Sequence, residues 1–231
     1  MELQGKVMLI TGAKGGLGTF VTNSFLDAGA QVFGVSRSIA ASDFPHPNFL
    51  AVAAELSDGE RARQITEAVV NKAGRIDGLV HLVGAFAGGK SVAETDDATL
   101  DKMLDLNLRS AFHVIRAVLP IMREQISGRI IAIGSKAAVE PAVMAGVYAA
   151  SKAALVSLIR TVARENVDRN VSANIVLPGT MDTPANRSAD PGADFSKWVH
   201  PCQVAKLLVH LVSDQASQVS GAVIPIYGGE A

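Results

Sequence analysis

The sequence predicts an α/β fold: one doubly wound parallel sheet with helices on both faces. Three observations carry this. Short β-branched apolar runs alternate with longer amphipathic stretches along the whole chain. The strand runs are almost continuously apolar, as strands covered on both sides are. A glycine-rich turn stands where the first strand passes into the first helix.

Val7 to Ile10 is the first strand and Leu17 to Ala28 the first helix. Gln31 to Val35 and Phe49 to Val52 follow as strands. Between them, Ser36 to Asn48 carries Pro45 and Pro47, so no full crossover helix is expected there. A helix over about Asp58 to Ala73 precedes a fourth strand, Gly78 to Val83. One long helical stretch spans about Asp97 to Glu124. Arg129 to Ile133 is the fifth strand, Val147 to about Asn166 a helix, and Val171 to Leu177 the sixth strand. Pro178 to His200 is rich in Asp, Ser, Pro and Gly, and a loop this long in a compact domain is often functional. A helix over Pro201 to Ser213 and a last strand, Ala222 to Ile226, end the pattern. Repeats, low-complexity tracts and interdomain linkers are not evident. The 231 residues are therefore read as a single domain, 1–231.

Hydrophobic residues make up 48% of the chain and charged residues 19%, enough apolar material for a substantial core. The net charge is −1, with no basic excess to drive phosphate-backbone binding, so no nucleic-acid partner is expected. The start of the chain shows no signal-peptide pattern, and no apolar run reaches the roughly 18 residues of a membrane span. A cytoplasmic location and no membrane partner are expected. The one cysteine, Cys202, excludes an internal disulfide framework and a cysteine-cluster metal site, and it reads as a small apolar filler. No metal site is expected.

Thr11-Gly12-Ala13-Lys14-Gly15-Gly16-Leu17-Gly18 has the form of a phosphate turn. Glycines let the backbone turn tightly and approach a pyrophosphate, while the helix N-terminus supplies free N–H groups and a favourable dipole. The second strand ends at Val35 without an acid that would accept ribose hydroxyls. Ser36 and Arg37 stand there instead, and Lys14 adds a second positive charge nearby. A guanidinium pairs well with a 2′-phosphate, so NADP(H) is favoured, with NAD(H) as the alternative.

Tyr148 and Lys152 are four residues apart on a predicted helix, which sets their side chains on one face. A free tyrosine has a pKa near 10, and a neighbouring ammonium favours the phenolate, so Lys152 is expected to make Tyr148 a better acid–base catalyst. Ser135, at the end of the fifth strand, is placed to hold a substrate oxygen.

Taken together, these residues resemble the short-chain dehydrogenase/reductase superfamily over essentially the whole chain. Thr11, Gly12, Gly16 and Gly18 match its T-G-x-x-x-G-x-G turn, and Tyr148 to Lys152 its Y-x-x-x-K. Ser135 stands thirteen residues before the tyrosine, a common place for the superfamily's catalytic serine. The resemblance implies a Rossmann-like fold and a water-linked proton relay supported by Asn107. It implies that Lys152 also binds the nicotinamide ribose, and that Gly84, Pro178, Gly179 and Thr183 line the cofactor site, with Thr183 holding the carboxamide. Glu55-Leu56 stands where the superfamily often has Asp-Val near the adenine. It implies a homotetramer or homodimer built on the two long helices. Two departures stand out. His81-Leu82-Val83-Gly84 replaces Asn-Asn-Ala-Gly, so His81 is read as packed or hydrogen-bonded rather than catalytic. Ile226-Tyr227-Gly228-Gly229 replaces Val-Asp-Gly-Gly.

Asp182 to Arg187, Ala193 to Trp198, and Gly84 to Gly89 also resemble the dihydropteridine reductase branch of the superfamily. That branch uses NADH and has alanine where Ser135 stands. Phe86 and Trp198, in those segments, are given a packing or substrate role, and Met144, from its place four residues before Tyr148, a place near the pocket or in the packing. The leading expectation is an NADP(H)-preferring enzyme acting on a small-molecule carbonyl or alcohol. Quinonoid dihydropterin reduction and 3-oxoacyl thioester reduction are the alternatives within the enzyme class. A non-catalytic nucleotide-binding regulator is the alternative outside it.

Overall fold

The seven apolar runs pair into one sheet. The computed structural model describes residues 2–56 and 58–230. Its strands are β1 (Val7–Thr11), β2 (Gln31–Ser36), β3 (Phe49–Ala53), β4 (Gly78–His81), β5 (Gly128–Ile133), β6 (Val171–Pro178) and β7 (Val223–Ile226). They lie in the order β3-β2-β1-β4-β5-β6-β7, every neighbouring pair parallel. The order runs outward in one direction from β1 and in the other from β4. The crevice above their carboxyl ends is therefore the place where such a sheet binds ligands.

Alternate residues of each strand feed two cores. Met8 and Ile10 of β1, Val32 of β2 and Ile131 and Ile133 of β5 face α1 (Gly18–Asp27) and α7 (Pro201–Val212). Val7, Leu9, Phe33, Ile130 and Ala132 face α2 (Gly59–Ala73), α4 (Ser110–Gln125) and α5 (Gly146–Glu165) on the other side. Covering both faces explains why the runs are apolar throughout rather than alternating. Each fully buried large aliphatic side chain contributes roughly 1.5–3 kcal/mol.

Local chemistry sets the helix ends. The Asp58 carboxylate accepts from the Arg61 N–H at 2.8 Å to start α2, and Gly74, at φ +76°, ends it in the left-handed conformation. Asp96 accepts from the Thr99 N–H at 2.8 Å to start α3 (Asp97–Leu104). Thr183 caps α6 (Pro184–Ala189) and His200 caps α7, each followed by a proline that needs no N–H partner.

Three expectations change. The helix over 97–124 is one path but not one regular helix. A π-helical turn, Asp105–Arg109, separates α3 from α4, and Ser110 N–H bonds the Asp105 carbonyl across it. The Ser110 hydroxyl bonds the Leu106 carbonyl at 2.8 Å, satisfying a group that the widened turn frees. The fourth strand ends at His81 rather than Val83, because the chain turns away beneath Gly12 after one more ladder bond, Leu82 N–H to the Thr11 carbonyl. The stretch 178–200 is not all loop. It holds α6 and a 3₁₀ turn, Phe195–Lys197, and is pinched at its base by a bridge between Met181 and Val199. Ser36–Asn48 holds only a short 3₁₀ turn, Ala41–Asp43, as its prolines imply.

Candidate active site

Parallel strands deliver their last residues to one edge, and a cavity of about 1010 Å³ opens there. Gly16, Leu17, Gly84, Ser135, Tyr148, Lys152, Pro178, Gly179 and Thr183 all line it, as do Phe86 and Trp198. Residues from the glycine turn, the ends of three strands and α5 therefore converge, though the sequence spreads them over more than 160 positions.

Ser135 follows β5 and opens a 3₁₀ turn, its Oγ accepting from the Ala137 N–H at 3.2 Å. Tyr148 and Lys152 project from the first turns of α5. The Lys152 Nζ donates to the Ile133 carbonyl at 2.9 Å, tying α5 to the end of β5, two residues before Ser135. Burial lowers the Lys152 ammonium from its usual range to about 8. Burial raises the Tyr148 phenol, and a side-chain hydrogen bond with Ser135 works against that rise. The expected lowering of Tyr148 by Lys152 is thus not what this geometry gives: desolvation dominates, and the ammonium is turned to a carbonyl.

Asn107 sits fully buried on the π turn, behind the cavity wall. Its Oδ1 accepts from the Ala85 N–H at 2.8 Å, and its Nδ2 donates to the Ala85 carbonyl at 3.0 Å and the Ser151 Oγ at 2.9 Å. Ser151 in turn donates to the Tyr148 carbonyl at 2.7 Å. Ser151 was not singled out by the sequence reading, although it lies inside the tyrosine–lysine motif. The His81 ring meets the Thr11 Oγ1 at 2.8 Å and the Ser110 Oγ at 3.3 Å. Burial first, and the charge of Lys152 second, pull the His81 imidazole down to about 3, so it is a neutral link rather than an acid or base at neutral pH.

The glycine positions fit a dinucleotide. A Cβ on Gly18 would lie 2.0 Å from the Gly12 carbonyl oxygen, so the tight turn into α1 excludes any side chain there. A Cβ on Gly84 would lie 2.9 Å from Asn107 Oδ1 and 3.0 Å from Lys152 Nζ, so only glycine leaves both polar groups in place. Thr183 packs its methyl against Gly16 and is buried.

At the far end of the turn, Lys14 N–H donates to the Ser36 Oγ at 3.1 Å and Lys14 Nζ to the Ser38 carbonyl at 3.0 Å. Lys14 therefore lies across the end of β2, beside exposed Arg37. Glu55 is exposed after β3, and Leu56 packs against the helix-covered core on the α2 side. The Phe86 ring meets the Tyr148 ring edge-on at 5.0 Å, and Trp198 stacks on Phe195 at 4.7 Å. Met144 is not brought to this cavity; it lines a separate hollow of about 140 Å³ with Lys90 and Thr99. Cys202 is half-buried, with its Sγ 3.0 Å from His200 Nδ1, a polar contact beyond a simple filler. Among the described residues, no group of three or more His, Cys, Asp or Glu could hold a metal ion.

Comparison with known proteins shows the family and the fold. Residues 6–194 match the short chain dehydrogenase family. Asnovolin H dehydrogenase of Aspergillus novofumigatus is 34% identical over 97% of this chain and 96% of its own length. The 3-oxoacyl-acyl-carrier-protein reductase FabG of Thermotoga maritima is 32% identical over 99% of each chain. A short-chain dehydrogenase/reductase from Serratia marcescens superposes with a TM-score of 0.91 at 32% identity, covering 100% of this chain and 99% of that one. A structure described as ElxO with NADP bound superposes with a TM-score of 0.91 at 25% identity, covering 97% and 98%. The chain belongs to the short-chain dehydrogenase family, an NAD(P)-dependent oxidoreductase by descent as well as by fold.

Proposed function

We propose that this protein is an NADP(H)-preferring oxidoreductase that interconverts a carbonyl and an alcohol on a small-molecule substrate, with Tyr148 as acid and base. The observation that carries this reading is the convergence of Ser135, Tyr148 and Lys152 on one cavity at the switch point of the sheet. The nicotinamide, when bound, supplies or takes up the hydride. The residues of the chain do the rest. Gly12, Gly16, Leu17 and Gly18 would hold the pyrophosphate, Ser36, Arg37 and Lys14 would receive the 2′-phosphate, and Glu55 and Leu56 would serve the adenine. Gly84, Pro178, Gly179 and Thr183, which line the cavity, would hold the nicotinamide end.

In the direction of reduction, the Ser135 hydroxyl donates to the substrate oxygen and Tyr148 passes its phenolic proton to the same atom. A phenol raised by burial remains protonated through neutral pH and is ready to act as the acid. Lys152 would hold the nicotinamide ribose, carrying its charge below about pH 8. Asn107 holds the first turn of α5 through Ser151 and anchors the relay. Phe86 and Trp198 stand where a substrate body would rest.

The two helices on one face, α4 and α5, support assembly as a homotetramer or homodimer, which light scattering tests as a species larger than the 24.0 kDa chain. Among the described residues, no helix is long and apolar enough to cross a membrane, and a cytoplasmic location is proposed.

The test of the activity is NADPH oxidation with a small ketone panel, a 3-oxoacyl thioester and a quinonoid dihydropterin side by side. Ketone or thioester turnover with an inert pterin is the expected result. Fast pterin turnover would overturn the carbonyl reading. Tight cofactor binding with no turnover anywhere would make the protein a nucleotide-binding regulator.

A further inference from the structure

Among the described residues, Asp43 is the carboxylate that pairs with Lys14, one of the two cations expected to receive the 2′-phosphate. Its Oδ1 lies 2.8 Å from Lys14 Nζ, and its Oδ2 accepts from the Ala40 N–H at 2.8 Å. The short turn that carries it is fixed from both sides: Ile39 and Phe44 are buried in the core beside α1, and Phe44 packs on Phe49 with ring centroids 4.8 Å apart. Hydrogen bonding to Lys14 holds the Asp43 carboxyl below its usual range, so it is ionised throughout the neutral region. Asp43 is therefore the fixed half of the ion pair, and Lys14, on a flexible stem, is the half that moves.

We infer that Asp43 is a cofactor-selectivity residue: it competes with the cofactor's 2′-phosphate for Lys14 and holds the NADPH preference below what Ser36 and Arg37 alone would give. The inference rests on the proposed cofactor site. The physical reason is that a phosphate reaching Lys14 must displace a carboxylate and then stay near it. NADH carries no 2′-phosphate and meets neither cost. The end of β2 itself, Val35-Ser36-Arg37, carries no acid. Asp43 reaches that end from seven residues downstream of Ser36, through the fold of the proline-containing crossover.

The test is calorimetric titration of NADPH and NADH into Asp43→Asn, Arg37→Ala and wild type. Asparagine keeps an oxygen for the Ala40 N–H and removes the charge. The expected result is NADPH binding tightened about fivefold, the scale of one solvent-exposed charge pair, with NADH affinity changed less than about twofold. The gain should shrink at high salt, and it should vanish in a Lys14→Met background. An unchanged NADPH to NADH ratio in Asp43→Asn, while Arg37→Ala weakens NADPH, overturns the inference and leaves the site reading standing. Failure of Arg37→Ala to weaken NADPH overturns the site reading itself. Should Asp43→Asn not fold, Asp43→Ser keeps a side-chain oxygen near Ala40 and carries the same expectation.

Discussion

Two walls of the same cavity are built in opposite ways. On the inner wall Asn107, Ser151 and Lys152 are buried, and each has its polar atoms paired at 2.7–3.0 Å. On the outer wall, the segment 180–199 is held by surface contacts. Arg187 forks onto Asp182 at 2.5 and 2.8 Å and lies 4.6 Å from the Phe195 ring, which stacks on Trp198. The base of that segment is pinched, the Val199 N–H donating to the Thr180 carbonyl and the Asp182 N–H to the Val199 carbonyl, and Lys197 lies against Gly228 and Gly229. The contrast separates two tasks. Proton transfer needs atoms fixed to a fraction of an ångström, which buried networks supply. Admitting a substrate needs contacts that can break at small cost, which exposed pairs supply.

The inner wall should therefore fail in chemistry and stability, and the outer wall in affinity alone. The largest effect is expected from Tyr148→Phe, which removes the transferable proton and little else. Steady-state kcat should fall by roughly 10²–10⁴-fold, while NADPH affinity by fluorescence titration stays within about threefold. Turnover near the wild-type value would remove Tyr148 from the mechanism. Next comes Asn107→Leu. It strands the Ala85 N–H and carbonyl and frees Ser151, and unpaired groups of this kind cost about 1–3 kcal/mol each. Urea unfolding should show a loss on the order of 3 kcal/mol, with kcat at least about tenfold lower. A variant of wild-type stability would show that the network is not what holds the inner wall.

The strands and the residues at their ends were easier to read from the sequence than the π turn and the loops. All seven strands and the sheet type follow from apolar runs, because strands covered on both faces admit little else. Ser135, Tyr148 and Lys152 were legible because their spacing is itself the geometry: four residues on a helix place two side chains together. The π turn at Asp105–Arg109 was not legible. Its residues, Asp-Leu-Asn-Leu-Arg, have ordinary helix patterning, and the contacts that accompany the extra residue per turn come from other elements, Ala85 to Asn107 and His81 to Ser110. Helical spacing to Tyr148 gives Met144 a place near the pocket or in the packing, but α5 begins only at Gly146. Met144 adopts φ +61° outside the helix, which turns it toward the neighbouring hollow. The Lys14–Asp43 pair was missed because it joins two loops, for which a sequence has no period.

His81 offers a smaller and more selective test of the inner wall. A free histidine has a pKa of about 6.5, and burial holds the folded one at about 3. Between those values the unfolded chain binds the extra proton and the folded chain does not. Stability therefore falls as pH drops from about 6.5 toward about 3. From pH 7 to pH 5 the His81 share of that loss is ~2 kcal/mol. His81→Asn keeps a polar side chain between Thr11 and Ser110 but cannot titrate. Its urea midpoint should depend less on pH over this range than that of the wild type, whatever its stability at pH 7. Parallel pH profiles for the two proteins would mean that His81 takes up a proton inside the fold and is not the neutral link described here.

The smallest effect is expected at Arg187, and it is the one that can break the comparison. Arg187→Gln removes the fork onto Asp182 and the contact with Phe195, both on the exposed side of the cavity. Because water solvates the freed groups, the melting temperature should stay within about 2 °C of wild type. With the loop less well held, KM for the substrate should rise about threefold while kcat changes less than twofold, the pattern of lost uniform binding. A fall in kcat equal to the fall in kcat/KM would place Arg187 in the transition state instead. The outer wall would then belong to the same rigid frame as Asn107 and Lys152, with its fixation coming from segment 180–199 closing over the reacting atoms.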